Sequence, residues 1–227
     1  MNHTACTIKK PDLVLVDTQV VIGAPAILFA SGIADAMATL VEAKACTKRN
    51  ADTMAGGKAT LAAQAIAEKA EATLFKYGVE AYASVKNKIL TQQVERIVEA
   101  NTLLSGLGFE NCGLSGAHAV HNGFTALDGE IHQLTHGEKV AYGTLVQLVL
   151  EGNNLETLAK YIKFYRAIDM PTTLKEMHLE DASFEDLVKV GEAATAEGET
   201  MANVDPEISG EAIAHAIVAV DEYSQLI

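Results

Sequence analysis

A single strand-like run of residues restricts the folds that this chain can adopt. Residues 12–22 read Asp-Leu-Val-Leu-Val-Asp-Thr-Gln-Val-Val-Ile, a pattern that predicts one short apolar β-strand followed by a turn. A buried strand needs neighbouring strands, yet no second run of this kind follows in the sequence. We therefore expect an all-α helical bundle (25–227), preceded by the remnant last strand of another domain (1–24) whose sheet would lie upstream of Met1.

The remainder of the sequence carries helical patterns and few helix breakers. Only four prolines occur among 227 residues, and alanine, leucine, glutamate and lysine are frequent. Apolar periodicity and stop signals predict about eight helices. Gly78 should end one of them, and another should begin at the cap Thr91 and end at Gly108. The segment 31–45 is apolar nearly all round, so the helix that it forms should be buried.

Charge and cysteine content exclude several classes of partner. The formal net charge is −13 and lysine and arginine form no cluster, so no binding to nucleic acid is expected. The three cysteines, Cys6, Cys46 and Cys112, form no CxxC pair and indicate a reducing, cytoplasmic location. Charged residues, glycine and proline interrupt the apolar window 14–43, so no membrane span is expected either.

Four of the seven histidines lie in one short window: His118, His121, His132 and His136. Imidazole is both a metal ligand and a proton carrier near neutral pH. His118 and His121 are three residues apart and would share one face of a helix. Spacing alone does not show which of the four bind a metal, because an isolated histidine is more often a structural polar residue.

Asp35 is the second unusual residue, since it lies in the middle of an apolar helix with no lysine or arginine within one turn. Burying a carboxylate is costly unless the group is paired or binds a cation. Asp35 could therefore cap the end of a neighbouring helix. Alternatively, it could be a third metal ligand that the fold brings close to the histidines.

Three segments around these residues have a characteristic sequence. They are Gly-Ala-His-Ala-Val-His-Asn-Gly at 116–123, His-Gly-Glu-Lys-Val-Ala-Tyr-Gly-Thr-Leu-Val-Gln-Leu at 136–148 and Ala-Ser-Gly-Ile-Ala-Asp-Ala at 30–36. Together they resemble the glycerol dehydrogenase family of the metal-dependent (iron-containing) alcohol dehydrogenases, from Pro11 almost to the C-terminus. The resemblance implies the all-helical C-terminal domain of the dehydroquinate synthase-like fold, which in that family follows a Rossmann-like nucleotide-binding domain.

The resemblance also implies which residues form the site. One aspartate and two histidines hold zinc in that family, and motif matching places them on Asp35, His118 and His136. His121 matches a position near the cofactor and substrate, and is a candidate catalytic residue. Phe109 matches an aromatic residue that lines the glycerol pocket.

The implied activity is the NAD-dependent oxidation of glycerol, or of a related 1,2-diol, to dihydroxyacetone. Zinc is the expected metal and Fe²⁺ the alternative, because one aspartate and two histidines suit both. His132 matches no ligand position and is expected to be structural. The family's glycine-rich phosphate-binding loop has no counterpart in this sequence, so the residues that would bind the cofactor remain unknown.

Three hypotheses remain open at this point. This chain could provide the metal-binding half of the enzyme, with a separate N-terminal nucleotide-binding polypeptide providing the other half. It could instead be a truncated, inactive helical domain that binds metal and oligomerises, or a helical metal-binding module with a different role. The resemblance implies a homo-oligomer, and the missing domain predicts an exposed apolar docking surface.

Overall fold

The computed structural model describes residues 12–227, and within them the regular elements are helices. One isolated β-bridge joins Asp52 and Lys58. The α-helices of the described range are α1 (Thr18–Gly23), α2 (Ala26–Lys48), α3 (Leu61–Lys86), α4 (Gln92–Glu99), α5 (Ser105–Cys112), α6 (Gly116–Gly123), α7 (His136–Leu150), α8 (Leu155–Ala167), α9 (Phe184–Ala194) and α10 (Gly210–Gln225). A π-helical turn, Ala100–Leu104, joins α4 to α5, and short 3-10 turns are formed by Phe124–Ala126, Glu130–Gln133 and Thr200–Asn203. The predicted all-α fold is confirmed.

The predicted β-strand over residues 12–22 is wrong. Residues 13–17 have no regular secondary structure, and the apolar residues after them belong to helix α1. The Asp17 carboxylate accepts the Gln19 N–H at 2.9 Å and so caps this helix. The valine-rich sequence favoured a strand. The cap that Asp17 provides stabilises a helix there instead. Residues 1–11, which include Cys6, lie outside the described range, and the predicted domain boundary at residue 24 stays a prediction.

Helix α2 lies at the centre of the bundle and packs against α3, α5, α6 and α7. Its buried residues include Ile33 and Met37, which confirms the buried helix predicted from the sequence. The helix is long and apolar enough to cross a membrane, but 67% of its apolar window is buried by the other helices. Such burial is typical of the core helix of a globular domain.

Gly78 and Gly108 do not end helices, contrary to the sequence prediction. Gly78 lies inside α3, where an added Cβ would be 2.7 Å from the Phe164 ring. Gly108 lies inside α5, where an added Cβ would be 2.6 Å from Thr39 Cγ2. Both glycines therefore allow neighbouring side chains to pack close to the helix backbone. The helical segment predicted to end at Gly108 continues to Gly113, whose φ of 100° ends it.

Alanine at Gly106 and at Gly108, which are two residues apart in α5, should change stability in opposite directions. Nothing lies within 4 Å of a Cβ at Gly106, so Gly106→Ala should raise the free energy of unfolding by about 0.5–1 kcal/mol. At Gly108 the methyl group meets Thr39, which is buried and hydrogen-bonded to Ser105 at 2.9 Å. Gly108→Ala should therefore lower the free energy of unfolding by about 1–3 kcal/mol. Urea unfolding followed by circular dichroism measures both, and changes of the same sign would contradict this account.

Candidate metal site

Three helices that are distant in sequence bring Asp35, His118 and His136 together. Asp35 Oδ1, on α2, is 3.3 Å from His118 Nε2 of α6 and 3.2 Å from His136 Nε2 of α7. One donor atom from each residue lies within 4.8 Å of the other two. These are the residues that the family resemblance implied as ligands, and the fold brings them together as one possible Asp/His/His metal site.

Close backbone contact between α2 and α7 positions His136. The next residue, Gly137, donates its N–H to Ser31 Oγ at 3.1 Å, and a Cβ at Gly137 would lie 1.9 Å from the Ser31 carbonyl oxygen. Thr135 and Glu138 form a reciprocal capping box, so that α7 begins at His136. The histidine is therefore held at the first residue of a helix whose start is pressed against α2.

A fully buried carboxylate, Glu42, holds His118 from the other side. Its Oε2 is 2.7 Å from His118 Nδ1, and its Oε1 accepts the backbone N–H groups of Ser115 at 2.9 Å and of His118 at 3.0 Å. Glu42 was not among the predicted site residues. The available signal was its position two helical turns after Asp35, which places both carboxylates on one side of α2.

One oxygen of Asp35 lacks a hydrogen bond. Oδ1 is buried, and although two imidazole nitrogens lie within ion-pair distance, neither forms a hydrogen bond of good geometry to it. Burial raises the pKa of Asp35, but His118 and His136 lower it by more, so the pKa is well below its usual range. A buried, ionised oxygen that faces two imidazoles is an arrangement that a bound cation would complete.

The donor distances fit a divalent metal. Ligands at about 2.0–2.1 Å from a tetrahedral zinc ion lie roughly 3.3–3.4 Å from one another. The two distances from Asp35 Oδ1 to the imidazole nitrogens, 3.2 and 3.3 Å, are close to this separation. Three protein donors also leave a coordination position open, as in catalytic sites. The donor types suit iron as well as zinc.

The imidazoles of the site differ in their electrostatic surroundings. Burial lowers the pKa of His118, but Glu42 and Asp35 raise it by more, to about 10. Burial and the neighbouring His136 lower the pKa of His121 to about 4. The rings of His121 and His136 are 4.2 Å apart between centroids, so His121 lies beside the three donors as a neutral group near pH 7.

A pocket of about 260 Å³ opens beside the donors. Phe109, predicted to line a substrate pocket, is part of its wall, as are Thr39 and Ser105, whose hydroxyl groups are 2.9 Å apart. This hydroxyl pair was not predicted from the sequence. The volume is below the range of about 300–1,000 Å³ that is usual for drug-sized ligands, so the pocket suits a small molecule.

The other two histidines of the window have different surroundings. His132 Nε2 is 2.6 Å from the Leu127 carbonyl oxygen, a contact that fits the structural role predicted for it. His121 Nδ1 is 3.0 Å from Asn122 Oδ1, and the Asn122 amide in turn donates to Glu199 at 2.9 Å. His121 is therefore oriented by a chain of polar side chains, and within residues 12–227 its Nε2 forms no hydrogen bond.

The fold and the site together define a class of protein. No family model matches the chain. The iron-containing alcohol dehydrogenase from Thermococcus thioreducens superposes with a TM-score of 0.68 at 16% identity, over 91% of this chain and 53% of that chain. The described helices thus share the fold of part of that iron-containing alcohol dehydrogenase.

Sequence identity then selects one branch of that class. The crystal structure of glycerol dehydrogenase from Schizosaccharomyces pombe has a TM-score of 0.93 and 44% identity, over 95% of this chain and 56% of that chain. Glycerol dehydrogenase from Escherichia coli O6:H1 is 45% identical over 217 residues, which are 96% of this chain and 59% of that protein. The chain is therefore a homologue of the glycerol dehydrogenases. It spans about half the length of the curated relatives that it matches.

Proposed function

We propose that this chain provides the metal-binding half of a glycerol dehydrogenase-like oxidoreductase that oxidises glycerol, or a related 1,2-diol, with NAD. Asp35, His118 and His136 would hold the metal, with zinc preferred over Fe²⁺. The observation that carries this proposal is the buried Asp35 oxygen that faces two imidazole nitrogens without a hydrogen bond. The homology to glycerol dehydrogenases supports the choice of substrate. The choice of zinc follows the family resemblance of the ligand motifs.

The residues around the site have separable tasks. When bound, a divalent metal supplies Lewis acidity, which lowers the pKa of an alcohol hydroxyl group. Asp35 contributes the negative charge that holds a cation, and Phe109 shields one side of the pocket from water. His121, with a pKa of about 4, is a weak proton acceptor at neutral pH, so we propose that it orients a substrate hydroxyl by a hydrogen bond.

NAD would be bound by residues outside this chain. Rossmann-like domains bind a dinucleotide at the carboxyl edge of a parallel β-sheet, and residues 12–227 contain no such sheet. We propose that a nucleotide-binding domain completes the cleft, either as a separate polypeptide or as part of a longer chain. Leu13, Val14 and Leu15 expose 77%, 67% and 85% of their surface, an apolar stretch suited to contact with such a domain or with another subunit of a homo-oligomer.

A complementation assay tests this function. With glycerol, NAD⁺ and zinc, we expect this chain alone to produce almost no NADH. Addition of the missing half of a glycerol dehydrogenase, expressed separately, should raise the rate at 340 nm by roughly a hundredfold or more, because misplacing the reacting groups by 1 Å costs about that much. The His136→Ala chain mixed with the same half is the matched control and should stay inactive. Full turnover by the isolated chain would refute the need for a second half, and a zinc-loaded mixture without turnover would favour the inactive helical domain.

A further inference from the structure

Glu42 is a buried acidic residue, and its hydrogen-bond partners among residues 12–227 lie at the start of α6. Its side chain is 0% exposed, and among residues 12–227 no lysine or arginine forms an ion pair with it. The side chain of Ser115, the residue before α6, forms no capping hydrogen bond to its own helix. Glu42 Oε1 accepts the two backbone N–H groups there, from Ser115 and His118, and thus caps α6 from another helix.

These backbone contacts determine how the second carboxylate oxygen meets the ring. Backbone N–H groups can only donate, so Oε1 accepts twice, and an ionised carboxylate has no proton to give. Oε2, at 2.7 Å from His118 Nδ1, is at the length of a charge-assisted hydrogen bond in which the ring donates. A neutral His118 therefore carries its proton on Nδ1 and its lone pair on Nε2. Nε2 is the nitrogen that faces Asp35.

We propose that Glu42 is a positioning residue of the metal site, which makes Nε2 the ligating nitrogen of His118 and holds the ring in its orientation. This inference rests on the proposed metal site and adds a residue that would not touch the metal. A carboxylate that accepts the second N–H of a ligating imidazole fixes the tautomer and strengthens the ring as a donor. Glu42 also ties the ring to the helix that carries it, because the same carboxylate binds the ring and the backbone of His118.

The variant Glu42→Gln tests this role. The amide keeps an oxygen for the backbone donors but presents N–H groups to Nδ1. This favours the tautomer with the proton on Nε2, which offers no lone pair from Nε2 to a metal beside Asp35. Competition titration with Zn²⁺ should show affinity about 10–100-fold weaker than wild type, the usual effect of losing such a partner. In ¹⁵N-histidine spectra of the zinc-loaded wild-type protein, His118 should have a protonated Nδ1 and a proton-free Nε2.

A control separates positioning from the stability of α6. Gln147 Oε1 accepts the Ala117 N–H at 2.8 Å, so Gln147→Leu weakens the start of the same helix without touching the His118 ring. Its Zn²⁺ affinity should stay within about threefold of wild type, whereas E42Q loses at least about tenfold. Wild-type affinity in E42Q, or an equal loss in both variants, would overturn the proposal for Glu42.

Two further outcomes keep the test decisive. If E42Q does not fold, Glu42→Asp, which retains an acceptor-only carboxylate, should still show the proton on Nδ1 in the zinc-loaded protein, and a proton on Nε2 would overturn the proposal. If wild-type protein binds no Zn²⁺, the metal site itself is refuted together with this inference. If wild type binds and E42Q binds equally well, only the role of Glu42 is refuted.

Discussion

Replacing His136 with alanine should remove nearly all zinc from the purified and dialysed chain, whereas replacing His132 with alanine should leave the zinc content unchanged. His136 provides one of three donors, and Asp35 Oδ1 is 3.2 Å from its Nε2. If a zinc site of four ligands is worth about 10–16 kcal/mol, each ligand contributes roughly 3 kcal/mol, which is about a hundredfold in affinity. Asp35→Ala should have an effect of at least this size, because it also removes the negative charge between the two imidazoles.

The paired histidine variants make this measurement specific. His132 lies in the same sequence window, but its Nε2 contacts the Leu127 carbonyl oxygen instead of the other donors. Elemental analysis after dialysis, supported by a Zn²⁺ titration, reports the stoichiometry of each variant. Equal zinc content in the two histidine variants would reject His136 as a ligand. Loss of zinc in His132→Ala alone would show that the metal site contains His132 instead.

Gly137→Ala should damage the same site without changing any donor. A Cβ at this position would lie 1.9 Å from the Ser31 carbonyl oxygen, and backbone atoms cannot move away as a flexible side chain could. Helices α2 and α7 must therefore separate, and we expect the free energy of unfolding to fall by about 3 kcal/mol. Since these helices carry Asp35 and His136, zinc affinity should fall as well.

Thermal unfolding and zinc titration of Gly137→Ala test both effects together. Gly106→Ala serves as the control, because that added methyl group meets no atom within 4 Å and should stabilise the protein. A Gly137→Ala variant with wild-type stability and wild-type zinc affinity would show that the close contact of α2 with α7 is not required.

Much of the fold could be predicted from local signals. The helix start predicted at Thr91 is correct, since its side chain accepts a backbone N–H from the first turn of α4. Caps of the same kind, at residues with short polar side chains, begin three later helices: Asn154 of α8, Ser183 of α9 and Ser209 of α10. Errors arose where the role of a residue depends on tertiary packing. Gly78 was predicted as a helix end, but it accommodates Phe164 from α8, and no local pattern contains that information.

The site could be predicted only in part from the residues themselves. The spacing of His118 and His121 predicted a shared helical face, but the choice of ligands came from the family resemblance. Glu42 was missed because the partners of its carboxylate lie far along the chain and meet it only when the helices pack. Its burial is tolerated only through donors on α6, which lie far along the chain.

The wide separation of the donors along the chain has a consequence for folding. Asp35, His118 and His136 lie on α2, α6 and α7. Bringing α2 to α6 and α7 closes a long segment of chain, and the entropy lost must precede the contacts between these helices that offset it. The complete set of donors should therefore exist only in molecules that have assembled the whole bundle. A metal that binds only this state cannot guide the early steps of folding. It would instead slow global unfolding. At a free metal concentration of a hundred times the dissociation constant, it would raise the free energy of unfolding by about 2.7 kcal/mol.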